Sequence, residues 1–177
     1  MRVIAGKYRG KPLASPKTNK VRPTADIVKQ ALFTKLQFFV EGKSVLDLFA
    51  GSGGLGIEAL SRGASEVVFV DKDYQSLGLT KQNLQSINEK ALTIHSDCIT
   101  ALKRFNRQFD LIILDPPYAS GLYKQCLEII YKKNMLTNQG IIVCEHNIDE
   151  KIDDEFFEIF DEKRYGTVYL TYLQNKA

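Results

Sequence analysis

Phe109-Asp110-Leu111-Ile112-Ile113-Leu114-Asp115-Pro116-Pro117-Tyr118 is the stretch that decides the fold. Residues 109–114 are few, apolar and rich in branched side chains, which predicts a strand buried in a parallel sheet. Two prolines then close it, because neither donates to a strand ladder and each restricts the residue before it. An acid, two stiff residues and an aromatic ring therefore stand at the carboxyl end of a central strand. In open α/β sheets that edge is where ligands bind.

Outward from this stretch, strand and helix patterns alternate. Further strands are expected over 44–49, 66–70, 91–95, 140–145, 156–160 and 167–173. Helices are expected after Arg22-Pro23-Thr24 with Thr24 as N-cap, from the glycine-rich turn through Leu60, and over 74–87, 99–105 and 121–131. In the first helix Ile27, Ala31, Leu32, Leu36 and Phe39 recur at helical spacing and predict its buried face. The alternation predicts an α/β fold, a doubly wound and mostly parallel sheet closed by an antiparallel C-terminal hairpin. Asp47, Asp71, Asp97 and Asp115 then fall at or near successive strand ends, as a row of carboxylates along one sheet edge.

The chain has 177 residues, 44% apolar and 25% charged, which suits one soluble domain of ordinary size. No apolar run approaches the roughly 18 residues of a membrane span, and the basic N-terminus lacks the apolar segment of a secretory signal. Cys98, Cys126 and Cys144 are far apart and odd in number, and His95 and His146 lack metal-ligand spacing. Reduced thiols, no metal site and a cytoplasmic protein follow. Net charge is +3, but residues 1–24 carry Arg2, Lys7, Arg9, Lys11, Lys17, Lys20 and Arg22 and no acid. This predicts a small basic hairpin over 1–13, turned near Tyr8-Arg9-Gly10, and a polar loop over 15–21. The arm, residues 1–24, would meet a polyanion and precede a main body over 25–177. Arg2, Lys7, Arg9, Lys11 and Arg22 are its candidate contacts.

Gly51, Gly53 and Gly56 fit G-x-G-x-x-G, with Asp71 twenty residues after Gly51. Close backbone approach and a ribose-binding acid serve any adenosine-bearing cofactor, a nicotinamide dinucleotide included. Asp47 separates the alternatives, because a carboxylate there opposes a pyrophosphate and suits a cationic ligand. S-adenosylmethionine carries a sulfonium and an ammonium group and no phosphate. Asp47-Leu48-Phe49-Ala50-Gly51-Ser52-Gly53 resembles motif I of the Rossmann-like S-adenosylmethionine methyltransferases. That resemblance implies that Asp47, Phe49, Gly51 and Gly53 bind the cofactor, that Asp71 binds its ribose and that Asp97 meets its adenine amino group.

Asp115 to Tyr118 resembles the [Asp/Asn]-Pro-Pro-[Tyr/Phe] motif of amino-nitrogen methyltransferases. The chemistry suits the residues: the Asp115 carboxylate and the Pro116 carbonyl can accept from an amino group, and Tyr118 can stack on a base. The similarity extends over Arg2 to Gly10, Arg22-Pro23-Thr24, Ala31-Leu32-Phe33, Asp47 to Gly56, Glu58 to Gly63, Gly121-Leu122-Tyr123 and Tyr165-Gly166. The whole resembles the bacterial small-subunit ribosomal RNA guanine-N2 methyltransferases of the RsmD type. Asp71, where that family more often has Glu, and Gly54, where Ala is usual, are small departures. The resemblance implies methylation of one guanine in 16S ribosomal RNA of an assembled or assembling small subunit, by a monomer without membrane contact. A DNA adenine-N6 methyltransferase and an NAD-dependent oxidoreductase remain the alternatives.

Overall fold

A computed structural model describes residues 1–17 and 23–177. Arg22 and most of the expected 15–21 loop lie outside the described residues. The elements are α1 (Pro23–Lys35), β1 (Ser44–Asp47), α2 (Gly54–Ser61), β2 (Glu66–Asp71), α3 (Tyr74–Ser86) and β3 (Leu92–His95). They continue with α4 (Cys98–Arg104), β4 (Phe109–Leu114), α5 (Leu122–Lys132), β5 (Leu136–Asn147), β6 (Glu158–Tyr165) and β7 (Val168–Gln174). The strands form one sheet in the order β3-β2-β1-β4-β5-β7-β6. β1 to β5 pair in parallel and β7 runs antiparallel between β5 and β6. The inserted antiparallel β7 departs from the order 3-2-1-4-5-6 of dinucleotide-binding sheets.

Alternate residues of each strand enter different cores, as a pleat requires. Leu46, Val68, Ile112, Leu114, Ile142 and Leu173 pack with α4 and α5. Val45, Phe69, Leu111, Ile113, Val143, Leu170 and Tyr172 pack with α1, α2 and α3. The strand order reverses between β1 and β4, so the carboxyl ends of these two strands flank the crevice of the sheet.

Two expectations for α1 need correction. The helix begins at Pro23, so Thr24 sits inside its first turn and not at the cap. Its buried face is Val28, Leu32, Phe33 and Leu36, while Ile27 is 57% exposed. The helix also stops at Lys35, so Phe39 lies in the turn beyond it and Val40 supplies the buried contact. The expected strand over 156–160 starts later, at Glu158, because Phe157 turns into the core before the edge strand begins.

The basic hairpin forms, with Arg2 bridged to Pro12 and Val3 and Leu13 buried in the core beside α1 and α2. It is docked by two α2 side chains. Glu58, fully buried, accepts from the Ile4 and Ala5 amides at 2.9 and 3.1 Å and pairs with Arg62 (2.9 Å) and Lys29 (3.8 Å). Ser61 accepts from Lys7 and Tyr8 amides at 2.7 and 2.9 Å through its carbonyl and hydroxyl. This approach needs a glycine: Gly6 has φ +86°, and a Cβ there would lie 1.9 Å from the Ser61 carbonyl oxygen. Left-handed backbone and overlap together make Gly6→Ala cost at least about 2 kcal/mol. Urea unfolding followed by circular dichroism checks this, and an unchanged midpoint would refute the docking role of Gly6.

Candidate active site

The turn after β1 is built by its neighbours. Asp71, at the end of β2, accepts from the Gly51 amide at 2.7 Å and the Asp73 amide at 2.8 Å. From α3, buried Thr80 donates to the Gly51 carbonyl at 2.8 Å and buried Asn83 to the Ser52 carbonyl at 2.9 Å. Asn83 also holds the amide and carbonyl of Ala14, which ties the end of the basic hairpin to the glycine-rich turn. Gly53, in the left-handed region, caps α2. Gly56 lies against β2, where a Cβ would meet the Phe69 ring at 2.3 Å.

Over this turn lies a cavity of about 520 Å³, lined by Leu48, Phe49, Gly51, Asp71, Lys72, Ser96, Asp97, Cys98, Ile99, Asp115, Pro116, Pro117 and Leu122. Phe49, Ile99 and Leu122 supply flat apolar walls, and Asp71 and Asp97 supply acceptors at the ends of β2 and β3. Asp97 also caps α4 through the Thr100 amide at 2.9 Å, and the Thr100 hydroxyl and amide together hold its carboxyl below the usual range. Three carboxylates against one lysine suit a ligand with hydroxyl and amino donors and a positive charge better than a pyrophosphate. Thus Phe49, Gly51, Asp71 and Asp97 line one cavity.

Asp47 and Gly53 do not line the cavity. Asp47 is buried beneath the turn, where its Oδ2 accepts from the Gly56 amide at 3.0 Å and its Oδ1 has no partner among the described residues. Burial, with Asp71 nearby, pushes it up to about 7. Its place is the base of the turn, and it influences the cavity from below.

A second cavity, about 380 Å³, lies on the other side of Asp115 and Pro116 and is lined by both. Tyr118, Tyr123, Glu145, His146, Asn147, Asp149, Glu150 and Thr167 contribute to its wall. Tyr118 is 72% exposed at its mouth and donates to Asp149 at 3.2 Å, which leaves the ring face open. The Tyr123 hydroxyl donates to the Glu145 carbonyl. Glu145 was not singled out in the sequence. The register pairs Leu114 with Cys144, so Asp115 and Glu145 follow as neighbours at the ends of parallel strands. Neither has an ion-pair partner among the described residues. Burial and the neighbouring Glu145 and Asp47 hold Asp115 well above the usual carboxylate range, and burial lifts Glu145 to about 7. Sequence offered one signal for Glu145, its place at the end of an expected strand; nothing local showed that β5 would lie beside β4.

Arg2, Lys7, Arg9 and Lys11 are all exposed. Arg2 donates to the Gly10 carbonyl at 3.0 Å, and Lys7 stands 3.8 Å from Glu89 and over the Tyr8 ring. The hairpin presents its cations away from the cavities' lining, on a support fastened to α2 and α3.

Known proteins share this arrangement. A family model described as conserved hypothetical protein 95 matches residues 1–174. Ribosomal RNA small subunit methyltransferase D of Haemophilus influenzae is 36% identical, over 99% of this chain and 94% of its own. The solved structure of the putative methyltransferase yhhF from Escherichia coli superposes with a TM-score of 0.89 at 28% identity, covering 100% of this chain and 98% of that one. The Thermus thermophilus 16S rRNA N2 G1207 methyltransferase, solved with AdoMet and guanosine, gives a TM-score of 0.75 at 26% identity. That match covers 90% of this chain and 45% of the larger one.

A raised carboxyl carries a sign for stability. Glu145 ionises near 4.5 when unfolded and at about 7 when folded, so the native state binds the extra proton between these values. Stability contributed at low pH is lost as pH rises through this window. Glu145→Gln is expected to be more stable than the parent at pH 8, with the difference shrinking toward pH 4.5. Urea midpoints across that range check it, and a difference independent of pH would contradict it. The chain belongs to the conserved hypothetical protein 95 family, together with the bacterial ribosomal RNA small subunit methyltransferases D.

Proposed function

We propose that this chain is an S-adenosylmethionine-dependent methyltransferase that modifies the exocyclic N2 of one guanine in 16S ribosomal RNA. One observation carries the reading: Asp115 and Pro116 form the wall shared by a nucleoside-sized cavity and a second cavity. A two-substrate transfer needs such a wall, because the reacting atoms must meet across it. The small subunit methyltransferase D relatives and the guanosine complex of the Thermus neighbour support the assignment of ribosomal RNA and of guanine. The adenine-N6 and oxidoreductase alternatives lack such support, and the sheet order also speaks against a dinucleotide site.

The residues present fit the cofactor. Asp71 would hold a ribose diol, Asp97 an adenine amino group, Phe49, Ile99 and Leu122 the ring faces, and Gly51 offers open backbone. Asp47 would act through the turn that it holds. When bound, S-adenosylmethionine supplies a methyl group on a positively charged sulfur.

A guanine amino nitrogen is a weak nucleophile, because its lone pair is delocalised into the ring. The Asp115 carboxylate and Pro116 carbonyl accept from its two hydrogens and point the nitrogen across the shared wall. Pro116 and Pro117 fix these acceptors before substrate arrives, so no reorganisation is needed on binding. As nitrogen gains the methyl it becomes acidic, and Asp115, held above the usual carboxylate range, is suited to take its proton. Tyr118 offers an exposed ring against which an extruded base stacks. Arg2, Lys7, Arg9, Lys11 and Arg22 neutralise phosphates without reading sequence. The substrate is the RNA of an assembled or assembling small subunit in the cytoplasm, and the enzyme acts as a monomer.

Asp115→Ala should lower kcat/KM by about 100- to 1000-fold, while cofactor affinity changes far less. Methyl-labelled cofactor with small subunits from a strain lacking the enzyme, alongside calorimetry, reads both. Full activity in the variant would remove Asp115 from the chemistry, and label entering duplex DNA in place of the subunits would overturn the substrate.

A further inference from the structure

The second cavity carries an asymmetry that methyl transfer alone does not require. Asp115, Glu145, Asp149 and Glu150 line it, and no Lys or Arg does among the described residues. The Glu150 Oε1 is buried without a partner among the described residues, and no described ion pair engages Asp115 or Glu145. A metal ion would explain such a set, but the described residues contain no group of three or more His, Cys, Asp or Glu able to hold one. Unpaired carboxylates beside a cavity are then acceptors waiting for neutral donors.

We infer that Glu145 determines base specificity by accepting the N1–H of guanine while Asp115 accepts from N2. This rests on the guanine reading above. The strand register makes the pair: Leu114 lies opposite Cys144, so the next residues, Asp115 and Glu145, project side by side from strands about 5 Å apart. Guanine offers adjacent donors, N1–H and N2–H₂, along one edge, and two neighbouring acceptors match it. Adenine presents an unprotonated N1 in that position, whose lone pair would face a carboxylate. A site built to receive a hydrogen discriminates strongly against a base lacking it, because the acceptor is left buried and unpaired. Tyr123 supports Glu145 by donating to its carbonyl, which fixes the strand end that carries it.

2-Aminopurine isolates the contact, since it keeps the 2-amino group but has no hydrogen on N1. The experiment uses the full chain and small subunits reconstituted with RNA carrying either guanine or 2-aminopurine at the position mapped from the parent enzyme's product. At pH 8, where the Glu145 carboxyl is ionised, parent enzyme should favour guanine about 100-fold in kcat/KM. In Glu145→Gln the amide can donate to an unprotonated N1, so this preference should narrow at least about tenfold. Glu145→Asp, which keeps the carboxylate, should retain the preference at a lower rate. A merely structural role predicts equal losses on both bases, and an unchanged ratio in Glu145→Gln overturns the inference. So does a parent enzyme that methylates both bases equally, a result that needs no variant to fold. Parent enzyme that methylates no guanine in any subunit instead refutes the underlying function.

Discussion

Parallel pairing of β4 between β1 and β5 is the constraint on which the site depends. Backbone hydrogen bonds set that register, and the register sets which side chains emerge together at the carboxyl edge. On one side β4 stands beside β1 and its glycine-rich turn; on the other it stands beside β5 and Glu145. Asp115 and Pro116 consequently belong to both cavities. A one-residue slip of β5 would turn Glu145 to the opposite face and put buried Cys144 or His146 in its place.

The same edge concentrates negative charge where burial disfavours it. Asp47, Asp115 and Glu145 are all raised, chiefly by desolvation, and Asp47 keeps one oxygen unpaired. Structural carboxyls elsewhere are treated differently. Glu58 is more deeply buried than Asp115 or Glu145 but is satisfied by two amides, Arg62 and Lys29. The contrast separates a carboxylate that fastens the fold from Asp115 and Glu145, which line a cavity without an ion-pair partner among the described residues, and such uncompensated groups concentrate at functional sites.

Fastening the N-terminal hairpin also ties its cations to the glycine-rich turn. Glu58 and Ser61 hold its first half on α2, and Asn83 clasps Ala14 and Ser52 together. The hairpin's cations are thus carried on the same helices that support the glycine-rich turn, at a fixed distance from it.

Local chemistry was enough to reveal much of this molecule. The apolar run 109–114 and the prolines after it determined a buried strand with a stiff acidic end, and strands alternating with helices determined the wound sheet. Phe49, Gly51, Asp71 and Asp97 could be placed along one edge because each falls at or within a few residues beyond the end of a strand. Other features depended on partners distant in sequence. Hydrophobic spacing in α1 suggested Ile27, but the helix is buried on the face of Val28 and Phe33, because docking on the sheet selects the face. Position alone could not show that the turn folds over Asp47 and gives it the Gly56 amide. Glu145 had only its place at the end of an expected strand, and neither Asn83 nor Glu58 shows locally which distant backbone it holds. The sequence by itself determined which groups reach the strand ends; only the tertiary structure decided which of them face one another, because strand register and helix docking are long-range pairings that no single segment encodes.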